Sequence, residues 1–393
     1  MRTRAGRIVA LLLALNGAAV IAGLVLLWPG EGRANVGPVT PGLVEGAEVV
    51  SVSSEGCVAL AGPDCRLVRV VLTDGRYDGV RSYLALPSGE LAPELSPGDR
   101  IRVQRNGPVT PEPVVEDPAA QPLAFVDFDR GRPLFVLVCV FAFVVVALAS
   151  WQGLRSLIGL GLSLVLIVGW LVPAILSGRP PLVAALVGGA AVMLVTTALT
   201  HGIGLKSAAA MLGATITLVF VVALSVIAVE AVHITGFSSE ESAIIDTRAA
   251  GGISLHGLVI AGIVIGTLGV LDDITVSQSS TVLALRRADP GMPTRQLFRE
   301  AMTVGRDHLG ATVNTLVLAY AGASLPTLLI FAGQATPFAE AVGYEAVAEQ
   351  IVATLVGSIG LVAAVPITTG LAALLAVHVP ASRARQTTHA HAH

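Results

Sequence analysis

The chain has 393 residues, of which 54% are hydrophobic and only 13% charged, and its formal net charge is −3. Soluble domains carry about a quarter charged residues, so this composition, with a mean hydropathy of +0.78, excludes an ordinary soluble protein and points to a multi-pass membrane one. Three cysteines are too few for a disulfide scaffold or a cysteine-rich metal module. No basic run interleaved with aromatics and no zinc-finger spacing points to nucleic acid.

The first apolar run, roughly 8–28, follows Arg2, Arg4 and Arg7. Signal peptides share that charge pattern, but their apolar region is about 7–15 residues long. This run is longer and ends in "WPGEGR" without a small-residue cleavage site. Residues 1–32 therefore read as an uncleaved N-terminal anchor.

Residues 33–130 change character: Gly and Pro are frequent, and charges occur throughout. The runs "AEVVSVSS", "CRLVRVVLTDG", "VRSYLAL", "DRIRVQR" and "LAFVDFD", punctuated by "DG" and "PGDR", predict about five strands. That number in under a hundred residues suits a small OB-like or SH3-like barrel or sandwich. Cys57 and Cys65 could form a disulfide in an oxidising compartment, or remain two unpaired small residues.

Seven further apolar spans are predicted at about 133–150, 154–176, 180–200, 206–234, 254–285, 308–332 and 349–379. With the first they make eight. Residues 131–382 then form a seven-helix membrane domain. Residues 383–393 read as a disordered cytoplasmic tail ending "TTHAHAH", whose histidines could hold a transition metal weakly. Lys and Arg in short loops mark the cytoplasmic side. An inside N-terminus also places Arg155, Lys206, Arg286, Arg287, Arg295, Arg299, Arg306, Arg383 and Arg385 inside, with Arg179 and Arg248 as exceptions. Both termini are then cytoplasmic and the β-rich region is extracytoplasmic. The segment "TRQLFREAMTVGRDHLG" has amphipathic helical spacing and reads as an interfacial helix leading into the seventh span.

The stretch "GVLDDITVSQSSTVLALRR" holds adjacent acids, Asp272 and Asp273, inside the sixth span. From Arg287 back to Asp272 is roughly 22 Å along a helix, against a hydrocarbon core of about 30 Å. A continuous helix anchored by Arg286 and Arg287 puts the acids near mid-membrane, and a break near Gly269 still leaves them at membrane depth. Acids there are costly and usually face a polar cavity, a partner or an ion; the alternative is a charged helix end at the interface. Thr275, Ser277, Gln278, Ser279, Ser280 and Thr281 add oxygen ligands of the type hard cations accept. Small and hydroxylated residues also simply let membrane helices approach closely. Adjacent carboxylates repel, and neighbours on a helix point about 100° apart, so one can face a site that the other does not.

Asn314 and Thr315 lie one to two turns deeper than Asp307 in "GRDHLGATVNTLVLAYAGASLP" and could complete the site, with Arg306 and Asp307 as a cytoplasmic gate or anchor. Glu230 and His233, one turn apart near the outer end of the fifth span, form either a second polar station or an interfacial pair. The Thr196–Thr197 and Thr368–Thr369 pairs are expected to bond their own helix backbones. Pro173, Pro326 and Pro366 interrupt spans, as in the discontinuous helices of transporter sites or as plain kinks.

The stretches "GVLDDITVSQSS" and "GRDHLGATVNTLVLAYAGASLP" resemble the signature regions of the YibE/F family of bacterial multi-pass membrane proteins. The resemblance covers most of the chain after Pro133, and the β-rich region only loosely. It implies a bacterial inner-membrane protein and leaves the substrate open.

The fold expected is an all-α polytopic bundle of about eight transmembrane helices, with a small extracytoplasmic β-rich domain between the first and second. With no P-loop pattern and acids at membrane depth, the expected function is secondary transport or export of a cation or proton through Asp272 and Asp273. A membrane scaffold or accessory subunit recruiting partners through the β-domain is the alternative. An intramembrane enzyme fits less well, since no "GxSxG" or "HExxH" occurs. No cofactor is expected beyond a cation held by the carboxylates. Expected partners are the lipid bilayer, a small ion or small-molecule substrate, and a second copy or a membrane partner protein.

Overall fold

Each of the five alternating runs forms a strand in the computed structural model, which describes residues 4–30, 44–53, 65–87, 93–105, 123–202, 204–238, 244–245, 252–334 and 336–376. These are β1 (Val44–Ser53), β2 (Cys65–Leu72), β3 (Arg81–Pro87), β4 (Arg100–Arg105) and β5 (Leu123–Phe128). They make one antiparallel sheet in the order β3-β2-β1-β4-β5. Period-two alternation turns Ala47, Val49, Val68, Val70, Leu84 and Ile101 into a common core. The "DG" and "PGDR" signals work because Gly75 and Gly98 take φ of +80° and +93°, which L side chains rarely adopt. Asp74 accepts from the Gly46 amide and from Arg102 Nη1 at 3.1 Å. The buried Glu45 lies 3.8 Å from the Arg105 guanidinium, which also sits 4.9 Å over the Tyr77 ring. Cys65 is disulfide-bonded and the exposed Cys139 is free; Cys57 lies outside the described residues, as does the 383–393 tail.

The chain divides into two units, Val36–Val145 and Met1–Asn35 with Val146–His393. The buried residues of α2 (Gly131–Leu166) are Gly153, Gly159 and Ser163, all in its second half.

The helical unit also holds α1 (Arg4–Leu26), α3 (Val172–Leu176), α4 (Pro181–His201), α5 (Leu205–Ala231) and α6 (Leu255–Ala288). Then come α7 (Thr294–Ala323), α8 (Leu325–Gly333), the short α9 (Phe338–Ala341) and α10 (Glu345–Ala376). Among the described residues five helical stretches are long and apolar enough to cross a membrane, or six if the bent pair α7–α8 is one span. The expected count of eight is not reached on these criteria, for two reasons. The apolar part of α1, Ala10–Leu26, is short. The second and third expected spans run as one stretch, Gly131–Leu176, through a π-helical turn at Ile167–Leu171. That stretch of 46 residues would be about 69 Å long if straight, but Ser150 leaves helical geometry at φ 50°, ψ −135°.

Helices in lipid gain nothing from hydrophobic exclusion against one another, so small residues and polar bonds set their packing. A Cβ on Gly213 of α5 would stand 2.4 Å from Thr368 Oγ1 on α10, and one on Gly360 of α10 would stand 2.4 Å from Val221 Cγ2 on α5. Gly357 of α10 likewise lies against Thr267 of α6 and Leu316 of α7. The first helix belongs to this bundle: Asn16 Nδ2 donates to Thr215 Oγ1 at 3.1 Å, and Trp170 Nε1 donates to the Leu24 carbonyl at 3.2 Å.

Two local expectations change. The interfacial helix and the start of the seventh span are one uninterrupted helix, α7, because nothing in "TRQLFREAMTVGRDHLG" breaks it. That span breaks later, at Ser324, where α8 departs at 58° with Pro326 in its first turn. Pro366, by contrast, lies within an unbroken α10.

Candidate functional site

The site is built on α6, whose ends are fixed by its sequence. Ser254 Oγ accepts from the Gly257 amide at 3.1 Å, satisfying a donor that the helix start leaves open. At the other end Arg286 and Arg287 occupy the last turn, where cations favour the helix dipole, and Arg286 Nη1 donates to the Met292 carbonyl at 2.8 Å. Between them the helix is continuous over 34 residues, about 51 Å. There is no break at Gly269. Asp272 and Asp273 stand near the middle of the helix, not at an end.

The two acids have different surroundings. Asp272 is half-buried against α4 and accepts at Oδ1 from Thr197 Oγ1 at 3.2 Å. Asp273 is exposed. About 9 Å further along the helix, the buried Gln278 accepts from Thr369 Oγ1 of α10 at 3.0 Å. Gly305 of α7 makes room for this amide, since a Cβ there would stand 2.7 Å from Gln278 Nε2.

The remaining hydroxyls turn back on α6 itself. Thr275 donates to the Asp272 carbonyl, Ser279 to Thr275, Ser280 to Val276, and Thr281 to the carbonyl of the half-buried Ser277. The oxygen cage expected from "TVSQSST" is therefore mostly backbone bonding and close packing. A dehydrated hard cation takes about six oxygens; Asp272 and Thr197 offer far fewer. Among the described residues no group of three or more His, Cys, Asp or Glu could hold a metal. What this geometry can do is hold one carboxylate inside a helix bundle with, among the described residues, a hydroxyl as its only hydrogen-bond donor.

The other expected site residues stand elsewhere. Asn314 is exposed on α7, and the exposed Thr315 donates to the Ala311 carbonyl. The buried face of α7 runs through Leu297, Ala301, Gly305, Thr312 and Leu316, which turns Asn314 outward. Arg306 and Asp307 are exposed within the helix, not at an entrance. Glu230 and His233 are both exposed, and His233 takes φ 57° just beyond the end of α5. There the Ile234 amide reaches the Val229 carbonyl at 3.0 Å, so the pair closes a helix.

Sequence reasoning missed three features. Thr197 and Thr369 cross to other helices instead of bonding their own, whereas Thr196 does bond back to Val192. Thr368 Oγ1 is buried with no hydrogen-bond partner among the described residues. Third, Glu345 at the start of α10 accepts from the Thr235 and Gly236 amides at 2.7 and 2.6 Å, and Ser238 Oγ donates to Glu349 at 2.6 Å. Glu349 borders a cleft of about 280 Å³ lined by Leu255, Val259, Gly262, Tyr320 and Gln350. Along α6 this cleft ends at Ile263, about 14 Å short of Asp272.

The profile of the YibE/F-like protein family matches residues 137–378, more than half of the chain. The match contains Asp272, Gln278 and both of their partners. Comparison with curated proteins and with solved structures finds no match.

Proposed function

The chain belongs to the YibE/F-like family and is a multi-pass membrane protein, and on that premise we propose that it is a secondary transporter or exporter. Its working group is the Asp272 carboxylate, which takes up and releases a proton or accompanies a cation. The observation that carries this reading is the carboxylate at mid-helix on α6, held across to α4 by Thr197, its one hydrogen-bond donor among the described residues. A carboxylate kept inside a bundle without a basic partner is costly, and such groups mark ion or proton pathways. The sparse oxygen set favours a proton. Asp273, facing outward, has no part in the site.

The same reading has eight crossings, with Gly131–Leu176 divided at Ser150 and α7–α8 counted as one broken span. Both termini are then cytoplasmic in a bacterial inner membrane, as the arginine distribution favours. The sheet lies outside, where a disulfide at Cys65 is stable. Its separate core supports a second reading, an accessory subunit that recruits a partner through the β-unit.

The test is proton flux in proteoliposomes loaded with a pH-reporting dye, driven by imposed Na⁺, K⁺ or pH gradients. Transport predicts flux above that of protein-free liposomes, lost in Asp272→Asn. Flux equal in the wild type and Asp272→Asn would overturn the assignment. Absence of flux in both, with a soluble partner bound by the full chain, would favour the accessory reading.

A further inference from the structure

Asp273 is left over from the site just described. It sits at mid-helix on α6 and is exposed, and an unpaired carboxylate facing lipid at that depth is strongly unfavourable. One turn away is Gly269, also exposed, where a Cβ would meet nothing within 4 Å. On α7 the arrangement repeats: Gly310 is equally open, and Asn314, one turn on, is exposed. A glycine inside a helix destabilises it relative to alanine. Gly213, Gly305 and Gly360 have a reason within the chain, the close approach of a neighbouring helix. Among the described residues Gly269 and Gly310 have none.

These two polar positions also share a depth. The antiparallel α6 and α7 touch where Gly305 meets Gln278 and where Gly266 meets Tyr320. On that register Asp273 lies level with the turn from Gly310 to Asn314. The two faces are not joined within one chain, because Gly310 and Asn314 lie opposite the buried face of α7.

We propose that these faces form an interface between two copies of this chain, with Asp273 of each copy against the Gly310–Asn314 turn of the other. A second copy is the occupant because one chain carries both halves of the contact. The acid with a glycine is on α6, and the amide, which has two N–H donors, is with a glycine on α7. A two-fold axis along the membrane normal keeps every residue at its own depth, so the contact forms twice, as an isologous interface requires. The glycines let the helices approach closely enough for the polar bond. The interface does not depend on what passes Asp272.

The experiment uses the full chain in native membranes and in lipid nanodiscs. Gly269→Cys and Val317→Cys, an exposed pair that the α6–α7 register puts at one depth, are placed in differently tagged copies carrying Cys139→Ser, co-expressed and oxidised. The expected product is a disulfide-linked species of twice the chain mass containing both tags, absent when either variant is expressed alone. Native mass spectrometry of the wild type is expected to show two copies per particle, shifting to one in Gly269→Leu/Gly310→Leu with helical content unchanged. Single-copy particles for the wild type would overturn the proposal. So would a cross-link only to a different protein, or a leucine pair that leaves the two-copy particle intact.

Discussion

The two units treat buried acids in opposite ways. In the β-unit Glu45 is buried beside Arg105, and every ion pair between described residues, Arg102–Asp74, Arg105–Glu45 and Arg130–Asp127, lies in that unit. In the helical unit Asp272 has, among the described residues, a hydroxyl and no cation. A buried acid with a guanidinium partner is part of the architecture, because removing the partner leaves a charge uncompensated. An acid held by a neutral donor in a membrane helix gives the fold little and keeps a group that can change its charge.

That contrast makes graded predictions. The largest stability effect belongs to Arg105→Met, which strands the Glu45 carboxylate. It should cost the β-unit about 3 kcal/mol, read as faster hydrogen exchange of the β1 and β4 amides in the full chain. Unchanged protection would break the contrast at its structural end. Next is Gly360→Ala, whose Cβ would press on Val221 at 2.4 Å. Overpacking of that kind costs about 2 kcal/mol and should lower the thermal midpoint of the helical unit. Thr369→Val removes the donor to Gln278 and should cost about 1 kcal/mol by the same measurement. The smallest effect is Asp127→Asn. The Arg130 guanidinium bonded to Asp127 holds its carboxyl below the usual carboxylate range, so the pair's contribution is present above the unfolded value of about 4. It is lost as pH falls through the lowered one. Because both groups are exposed, no change in midpoint should be resolved at pH 7.

Local signals made part of this legible. Alternation and glycine turns marked all five strands, since those rules act over a few residues. Hydropathy marked the apolar stretches, and counting back from Arg287 set Asp272 and Asp273 well inside the sixth of them. What stayed hidden was rotation about helix axes and choice of partner. A threonine in a helix bonds its own backbone by default, so nothing in "TT" told Thr197 from Thr196. Depth alone suggested Asn314 for the site, but the small and apolar residues at 297, 301, 305, 312 and 316 turn it away. The hydroxyls after Asp273 looked like ligands because composition does not say which way an oxygen points.

Two adjacent acids on one helix thus take different roles. Proton flux of Asp272→Asn and Asp273→Asn, reconstituted side by side at equal protein and lipid, tests it most directly. Flux is expected to be lost in Asp272→Asn, with no loss of thermal stability, and retained in Asp273→Asn. Equal flux in the two variants, or loss in Asp273→Asn alone, would contradict it.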